Sequence, residues 1–295
     1  MNGLTLGGIY ALIALGYTMV YGILKFINFA HGDILMVGAY IGLFTYNALR
    51  GSAPLGAWTV TSFFIAMIVA MIACGFLGVV IERVAYKPLR HAARLAPLLS
   101  AIGVSFMLSN SAAWAFGTQS RKFNYPFDNT PINIHGVIIT PHQILILAVA
   151  AIMMVALALF VDKTRMGKAM RATSIDQDTA MLMGISVDKV ISLTFAIGSA
   201  LAATGGILIS LDFKAYPSMG MMTGLKAFVA AVVGGIGNIQ GAMLGGIILG
   251  LLETFGVAVL GIPTGMKDTI AFGVLILILL IKPEGILGHA EKEKV

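Results

Sequence analysis

Few side chains in this 295-residue chain could do chemistry, and those few sit in strongly apolar surroundings. Lys226 and Glu253 interrupt otherwise apolar stretches, and an ionisable residue inside such a stretch is a functional candidate by default. We read the two first as an ion pair fixing two helices against each other. Contact with a passing solute, or proton coupling through Glu253, are the alternatives. A single Glu with no facing acid or His makes a thin proton relay. Asn28, His31, Gly32 and Asp33 form a second group, in a polar, glycine-rich interruption at 21–33. Asn238 lies in a similar interruption at 233–241. Asp33 is expected to cap the helix that starts near residue 31, and Asn28 and His31 either line a path or pack within the break.

Enzymatic groupings are missing from the sequence. General acid–base or nucleophilic work needs a paired acid, base or nucleophile, and none is visible at depth. There is no His-Glu-x-x-His and no Gly-x-Ser-x-Gly, and the five histidines come from unrelated connections, so no catalytic residue and no metal ligand set is assigned. The nearest approach to a phosphate-cradling loop, 261–268 (GIPTGMKD), has the wrong glycine spacing and lacks the Ser/Thr after lysine that would reach magnesium. The chain is expected to bind no cofactor of its own. Energy must come from an ion gradient or from a partner's ATPase.

The most informative polar stretch is 171–186 (RATSIDQDTAMLMGIS), between two apolar segments. It reads as one short helix. Thr173 or Ser174 would cap its first turn, Asp176 and Asp178 would complement the positive end of its dipole, and Gly184 would supply the left-handed residue that ends it. Helices that rest on a membrane surface carry large apolar residues and a basic polar face. Alanines, methionines and acids suit a protein cleft better, so the stretch is expected to dock against a soluble partner.

These groups must be positioned by a membrane-embedded scaffold. The chain is 58% hydrophobic and 11% charged, against roughly 45–50% and 25% for an average soluble domain. The runs 57–81, 143–161 and 190–211 hold no charged residue and meet the roughly 20-residue need for spanning a bilayer. Alternating ten-residue segments of the barrel kind are absent. The fold class is therefore all-α, a polytopic helical bundle of about eight or nine spans, with helices at 3–24, 31–49, 57–81, 95–117, 142–161, 189–211, 222–236, 240–260 and 267–281. Cys74, the single cysteine, allows no internal disulfide. The first apolar run starts at Gly3 with no basic region before it, so no cleavable signal is read. No polar stretch is long enough for a separate soluble domain.

A net charge of +6 would suggest nucleic acid in a soluble protein; here its distribution suggests a topology. The most basic connections are 82–94, with Arg83, Lys87, Arg90 and Arg94, and 162–189, with Lys163, Arg165, Lys168, Arg171 and Lys189. By the positive-inside rule both are cytoplasmic, as is the tail with Lys282, Lys292 and Lys294. The 118–141 loop is then outside, and so is the N-terminus if 3–24 and 31–49 both cross completely. Trp58, Trp114, Tyr40 and Tyr46 are expected to be interfacial anchors. Each of the two interruptions is followed by a glycine-spaced helix, which allows close helix approach in lipid. Paired breaks of this kind point to corresponding parts of an internal repeat and to a transport site near the mid-plane.

The segments 2–22 (NGLTLGGIYALIALGYTMVYG), 27–33 (INFAHGD), 224–228 (GLKAF) and 234–242 (GGIGNIQGA) carry a resemblance, supported by 82–90 (ERVAYKPLR) and 282–288 (KPEGILG). Over nearly its whole length the chain resembles the LivH-type permeases of branched-chain amino acid ABC importers, in the hydrophobic amino acid uptake family. The resemblance implies one permease domain over residues 1–295, in a bacterial inner membrane. It also implies a second related permease of the LivM kind, two cytoplasmic ATPases that use the ATP, and a periplasmic substrate-binding protein. Within a loop at about 162–189 it places the coupling segment on 171–185, with Arg171, Ala172, Asp176, Asp178, Ala180, Gly184 and Ile185 facing the ATPase; Ala172, Ala180 and Gly184 are its small-residue positions. The first shared motif begins at Asn2, where relatives often carry additional residues, which leaves room for a natural start upstream.

The expected function is inward transport of leucine, isoleucine, valine or similar amino acids. A urea or short-chain amide permease of the same family is the alternative within the class. From another class, the rival is a stand-alone ion-coupled transporter or channel using Lys226, Glu253, His31 and Asp33. A stand-alone carrier has no need of a capped, acidic docking helix.

Overall fold

An apolar chain in lipid must satisfy every backbone N–H and C=O internally, and long runs without charge do so as helices. The computed structural model describes residues 1–51, 56–90, 92–93, 95–134 and 137–288. Arg94, Lys292 and Lys294 lie outside the described residues. The helices are α1 (Asn2–Leu24), α2 (His31–Arg50), α3 (Ala57–Ile81), α4 (Leu95–Phe116), α5 (Pro141–Lys163), α6 (Arg165–Ile175), α7 (Gln177–Leu182), α8 (Val187–Asp212), α9 (Met219–Gly234), α10 (Ile239–Ala258) and α11 (Lys267–Ile281). Seven of them, α1, α3, α4, α5, α8, α10 and α11, are long and apolar enough to cross a membrane, and α9 is a shorter apolar helix. The chain is an all-α, multi-pass membrane protein. Among the described residues the only paired strands are a small hairpin, β1 (Ile132–Ile134) with β2 (Val137–Ile139).

At the centre stands α1, buried along nearly its whole length. Small residues make this possible: Ala11 of α1 lies against Gly246 of α10, Gly7 against Gly250, and Gly16 against Gly198 of α8. These pairings run α1 antiparallel to α10 and α8. Gly38 on Ala203 and Gly42 on Ile207 set α2 parallel to α8. By contrast α4 and α11 turn most of their side chains outward, as lipid-facing helices do.

The two ends of the bundle differ. One end gathers α6, α7, the turn 82–90, the break between α9 and α10, and the tail to residue 288; Gly22 near the end of α1 faces Gly237, and the backbone N–H groups of Ile286 and Leu287 donate to Val233 and Gly234. This end carries both basic connections. At the other end the loop after α4 is tied to the α8–α9 connection by paired bonds of 2.8 Å between Arg121 and Ala215.

The aromatic anchors divide. Trp58 and Trp114 are 55% and 90% exposed, as interfacial residues would be. Tyr40 and Tyr46 are fully buried, which corrects the expectation for them. Tyr40 stacks on Phe116 with ring centroids 4.8 Å apart, and Tyr46 on Phe123 at 5.2 Å. The Tyr46 hydroxyl donates to the carbonyl of Tyr125. Phe44, one turn from Tyr40, faces the same ring of Phe116 and completes an inward aromatic cluster.

Candidate functional site

The stretch read as one helix is two. Thr164 caps α6, its hydroxyl accepting from the N–H of Gly167, and α6 runs through Thr173 and Ser174 to Ile175. The hydroxyls of those two residues bond back to Ala169 and Arg171 carbonyls inside α6, so neither caps anything. Asp176 breaks the helix and starts the next one: its carboxylate accepts from the N–H of Thr179 at 2.9 Å. A carboxylate is as good a cap as Ser or Thr and also meets the dipole charge, so Asp176 wins. After α7, Gly184 sits at φ +82°, with Ile185 N–H donating to Ala180 and Gly184 N–H to Met181, each at 3.0 Å. That is a complete Schellman ending, with the apolar Ile185 near Ala180.

The side chains of this segment sort by direction. Ala180 is buried against the bundle, and Arg171 is tied back to the Val161 carbonyl and the Asp162 carboxylate. Ala172, Asp176 and Ile185 are half-buried, while Asp178 and Gly184 face outward. The outermost apolar groups are Ile175, Leu182 and Met183, exposed by 85%, 88% and 78%. Gln177 reaches the opposite way, its amide donating to the carbonyl of Ile23 at the end of α1 at 2.8 Å. One face of the hairpin thus grips the bundle and the other presents apolar side chains to whatever lies beyond.

The first break is threaded into the bundle. Asn28 Oδ1 accepts from the N–H of Ala30 at 3.1 Å and from the Tyr86 hydroxyl at 2.6 Å. His31 Nε2 lies 3.3 Å from the Ile13 carbonyl, and its ring packs edge-on against Tyr17. Gly32 meets Gly220 and Gly224 of α9 with no room for a side chain on any of the three. Asp33 does not cap α2: it accepts from the Ser105 hydroxyl of α4, and the cap position, Ala30, has no side-chain bond. Asn28 does the local capping work from the loop, leaving Asp33 free for a neighbouring helix. The start of α2 therefore opens among α1, α4, α8 and α9, about two to three turns of α1 inside its end.

The second break is different. Gly235 and Gly237 take φ +108° and +96°, turning the chain sharply from α9 into α10. Asn238 caps α10 through the N–H of Gly241, and its amide donates to the Leu287 carbonyl of the tail. This turn lies level with the end of α1 and not in the middle of the bundle. The paired breaks therefore do not share one depth.

Lys226 and Glu253 do meet, at 3.1 Å, and two further residues join them. Asp268 of α11 lies 2.7 Å from the same ammonium, and the Tyr10 hydroxyl donates to Glu253 at 3.1 Å. Four helices, α1, α9, α10 and α11, are held by one cluster.

Comparison with known proteins decides the family. Residues 1–279 match the family described as branched-chain amino acid transport system / permease component. The chain belongs to this family. It is 45% identical over 303 residues to the high-affinity branched-chain amino acid transport system permease protein BraD of Pseudomonas aeruginosa, covering 100% of this chain and 96% of that one. It is also 45% identical over 300 residues to the permease protein LivH of Escherichia coli, with the same coverage. Among solved structures, PsaBC from Streptococcus pneumoniae in complex with Fab superposes at a TM-score of 0.51 with 14% identity, covering 96% of this chain and 91% of that chain. That likeness concerns the fold alone.

Several residues of these clusters escaped the sequence. A network at the basic end joins Glu82, buried and paired with Arg90, to Ser192 at 2.8 Å, while Asp188 takes Arg90 at 2.5 Å and Lys87 at 2.6 Å. It binds the π-helical turn Glu82–Tyr86 after α3 to the start of α8, directly after α7. Only the run of charges at 82–90 hinted at it. Tyr10 and Asp268 gave no local signal.

Proposed function

We propose that this chain is the membrane-spanning permease subunit of an ATP-driven importer, moving branched-chain amino acids inward across the inner membrane. One permease domain spans residues 1–295 and pairs with a second, related permease. Two ATPases dock at its basic end and a soluble binding protein delivers substrate at the other. The observation that carries this is the α6–α7 hairpin: a fully capped element gripping α1 through Gln177 while Ile175, Leu182 and Met183 stand exposed. In a chain without a phosphate-cradling loop, such a tip fits a cleft of an ATPase. The names of the relatives supply the substrate class, and the basic connections supply the orientation, with this end and the tail cytoplasmic.

In this reading, closure of the ATPases pushes on the hairpin. Gln177 passes the displacement to the end of α1, and the Ser186–Val187 junction passes it to α8. His31 packs on α1 at Ile13, Gly16 and Tyr17, and α8 packs along α2, so their movement alters the space at the start of α2. Backbone groups at that helix end suit the carboxylate of a zwitterionic amino acid, and few charged side chains are then needed.

The test is uptake by proteoliposomes holding the chain with its partner permease, the two ATPases and the binding protein. Leucine uptake should require ATP inside and stop when the ATPases are omitted. Gradient-driven uptake without them would establish the stand-alone carrier instead, and uptake of urea in preference to leucine would move the protein to the amide-transporting branch.

A further inference from the structure

At the basic end, the outer junction of α3 and α8 opens into a groove of about 540 Å³ whose mouth carries Arg83, Lys87 and Lys189, with the hydroxyl of Ser192 and a single carboxylate, Asp188. That carboxylate is taken up by Lys87 and Arg90. Arg83 and Lys189 are exposed and make no ion pair among the described residues, so the mouth has a positive surplus. Val79 and Ala196 belong both to this groove and to a second one of about 340 Å³ directly along the same seam, which is apolar. Gly75 and Ala200 form its floor, where small residues leave room; Ile72 and Phe76, 69% and 71% exposed, form its outer wall.

From Asp188 to Ala200 the two adjoining grooves follow twelve residues of α8, about 18 Å at the helical rise. One leaflet of a bilayer's hydrocarbon core is about 15 Å deep. A slot of one leaflet's depth, apolar along its length and basic at the water boundary, has the shape and charge of a phospholipid with an anionic headgroup. We propose that the α3–α8 seam binds one anionic phospholipid, its phosphate between Arg83 and Lys189 and an acyl chain along Val79, Gly75 and Ala200. Basic pockets between transmembrane helices at this level hold such headgroups by direct charge attraction. The Glu82–Arg90–Asp188 network lies against the mouth, so the bound lipid braces the joint between α3 and the helix that follows the coupling hairpin.

The test uses the purified full chain in neutral detergent, titrated with phosphatidylglycerol or phosphatidylcholine of the same chain length, with bound lipid counted by native mass spectrometry. The wild type should retain phosphatidylglycerol preferentially. The double variant R83Q/K189Q, altered only at exposed positions, should lose about thirtyfold in that preference, at roughly a factor of five for each basic side chain. Ala196→Phe, which fills the slot and leaves the charges, should lower retention of both lipids. Equal retention of the two lipids by the wild type, or unchanged preference in the double variant, overturns the proposal. Displacement by glycerol phosphate without acyl chains would reveal a free-phosphate site instead. Cross-linking of Ile72→Cys to the second permease in the assembled importer would make the groove a permease interface, and that too overturns it.

Discussion

The hydroxyl of Tyr86 donates to Asn28 Oδ1 across 2.6 Å, joining the π-helical turn after α3 to the loop that leads into α2. The two residues are 58 positions apart and both are buried. Through Glu82 and Arg90 the same turn is bonded to Asp188, at the start of α8 directly after α7. The 82–90 turn thus links the loop before α2 to the start of α8.

Tyr86→Phe removes one link and little else. Asn28 keeps the Ala30 N–H, and a net loss of about 1 kcal/mol is the ordinary figure for a single hydrogen bond. The variant should fold and assemble. Uptake should fall several-fold while ATP hydrolysis by the complex continues, so transport per ATP is the measurement. An unchanged ratio would mean the bond only packs the loop.

At the outer tip of α6 and α7, proposed to dock against the ATPases, Leu182 and Ile175 are so exposed that their replacement costs the isolated chain nothing in packing. Leu182→Glu and Ile175→Glu should leave its melting temperature unchanged and weaken co-purification of the ATPases at least tenfold. Retained assembly would place the contact on another surface.

Gly184 tests the backbone and not the contact. A Cβ there would meet nothing within 4 Å, so space is no obstacle; φ +82° is. Gly184→Val should cost about 1–2 kcal/mol locally, and Gly184→Asn, which tolerates the left-handed region, much less. Hydrogen exchange at α7 should rank wild type, Asn and Val in that order of protection, with ATPase binding following it.

Legibility of the sequence tracked the range of the forces. Helices set by long charge-free runs were placed within a few residues of their ends, because each run must satisfy its own backbone. The Gly184 ending was legible for the same local reason. The Asp176 split was not, since three candidate caps lie within four residues and only the three-dimensional bonds show which one is used. Tyr40 and Tyr46 were misplaced because the aromatic-belt rule concerns average positions, while these rings face Phe116 and Phe123 from distant segments. Asp33 was expected to serve its own helix and serves α4. Partners such as Tyr10, Asp268 and Asp188 are chosen by tertiary packing, which no spacing encodes.

The Lys226 cluster gives an asymmetric expectation. Lys226→Met strands Glu253, fully buried, and also removes the partner of Asp268. Breaking such a pair costs about 3–5 kcal/mol. Glu253→Gln leaves Lys226 with Asp268 and keeps a partner for Tyr10, so its loss should be clearly smaller. The double variant should recover much of the Lys226→Met loss in thermal unfolding. If it regains stability but not uptake, the cluster touches the transported molecule or a proton; if both return, it is a four-helix clamp.

The two breaks should behave differently when probed for access. In a Cys74→Ala background, cysteine at Asn28 or His31 should react with small polar thiol reagents in one state of the cycle, because in the proposed mechanism movement of α1 and α8 opens the start of α2. Trapping the ATPases with nucleotide should change the rate by an order of magnitude or more. Cysteine at Asn238 should react at a rate indifferent to nucleotide, since that side chain is spent on capping α10 and holding the tail at the bundle's end. Asn238→Ala should cost about 1 kcal/mol as a lost cap and leave uptake per folded molecule intact. Nucleotide-dependent labelling at Asn238 with none at Asn28 or His31 would reverse the assignment and move the path to the α9–α10 turn.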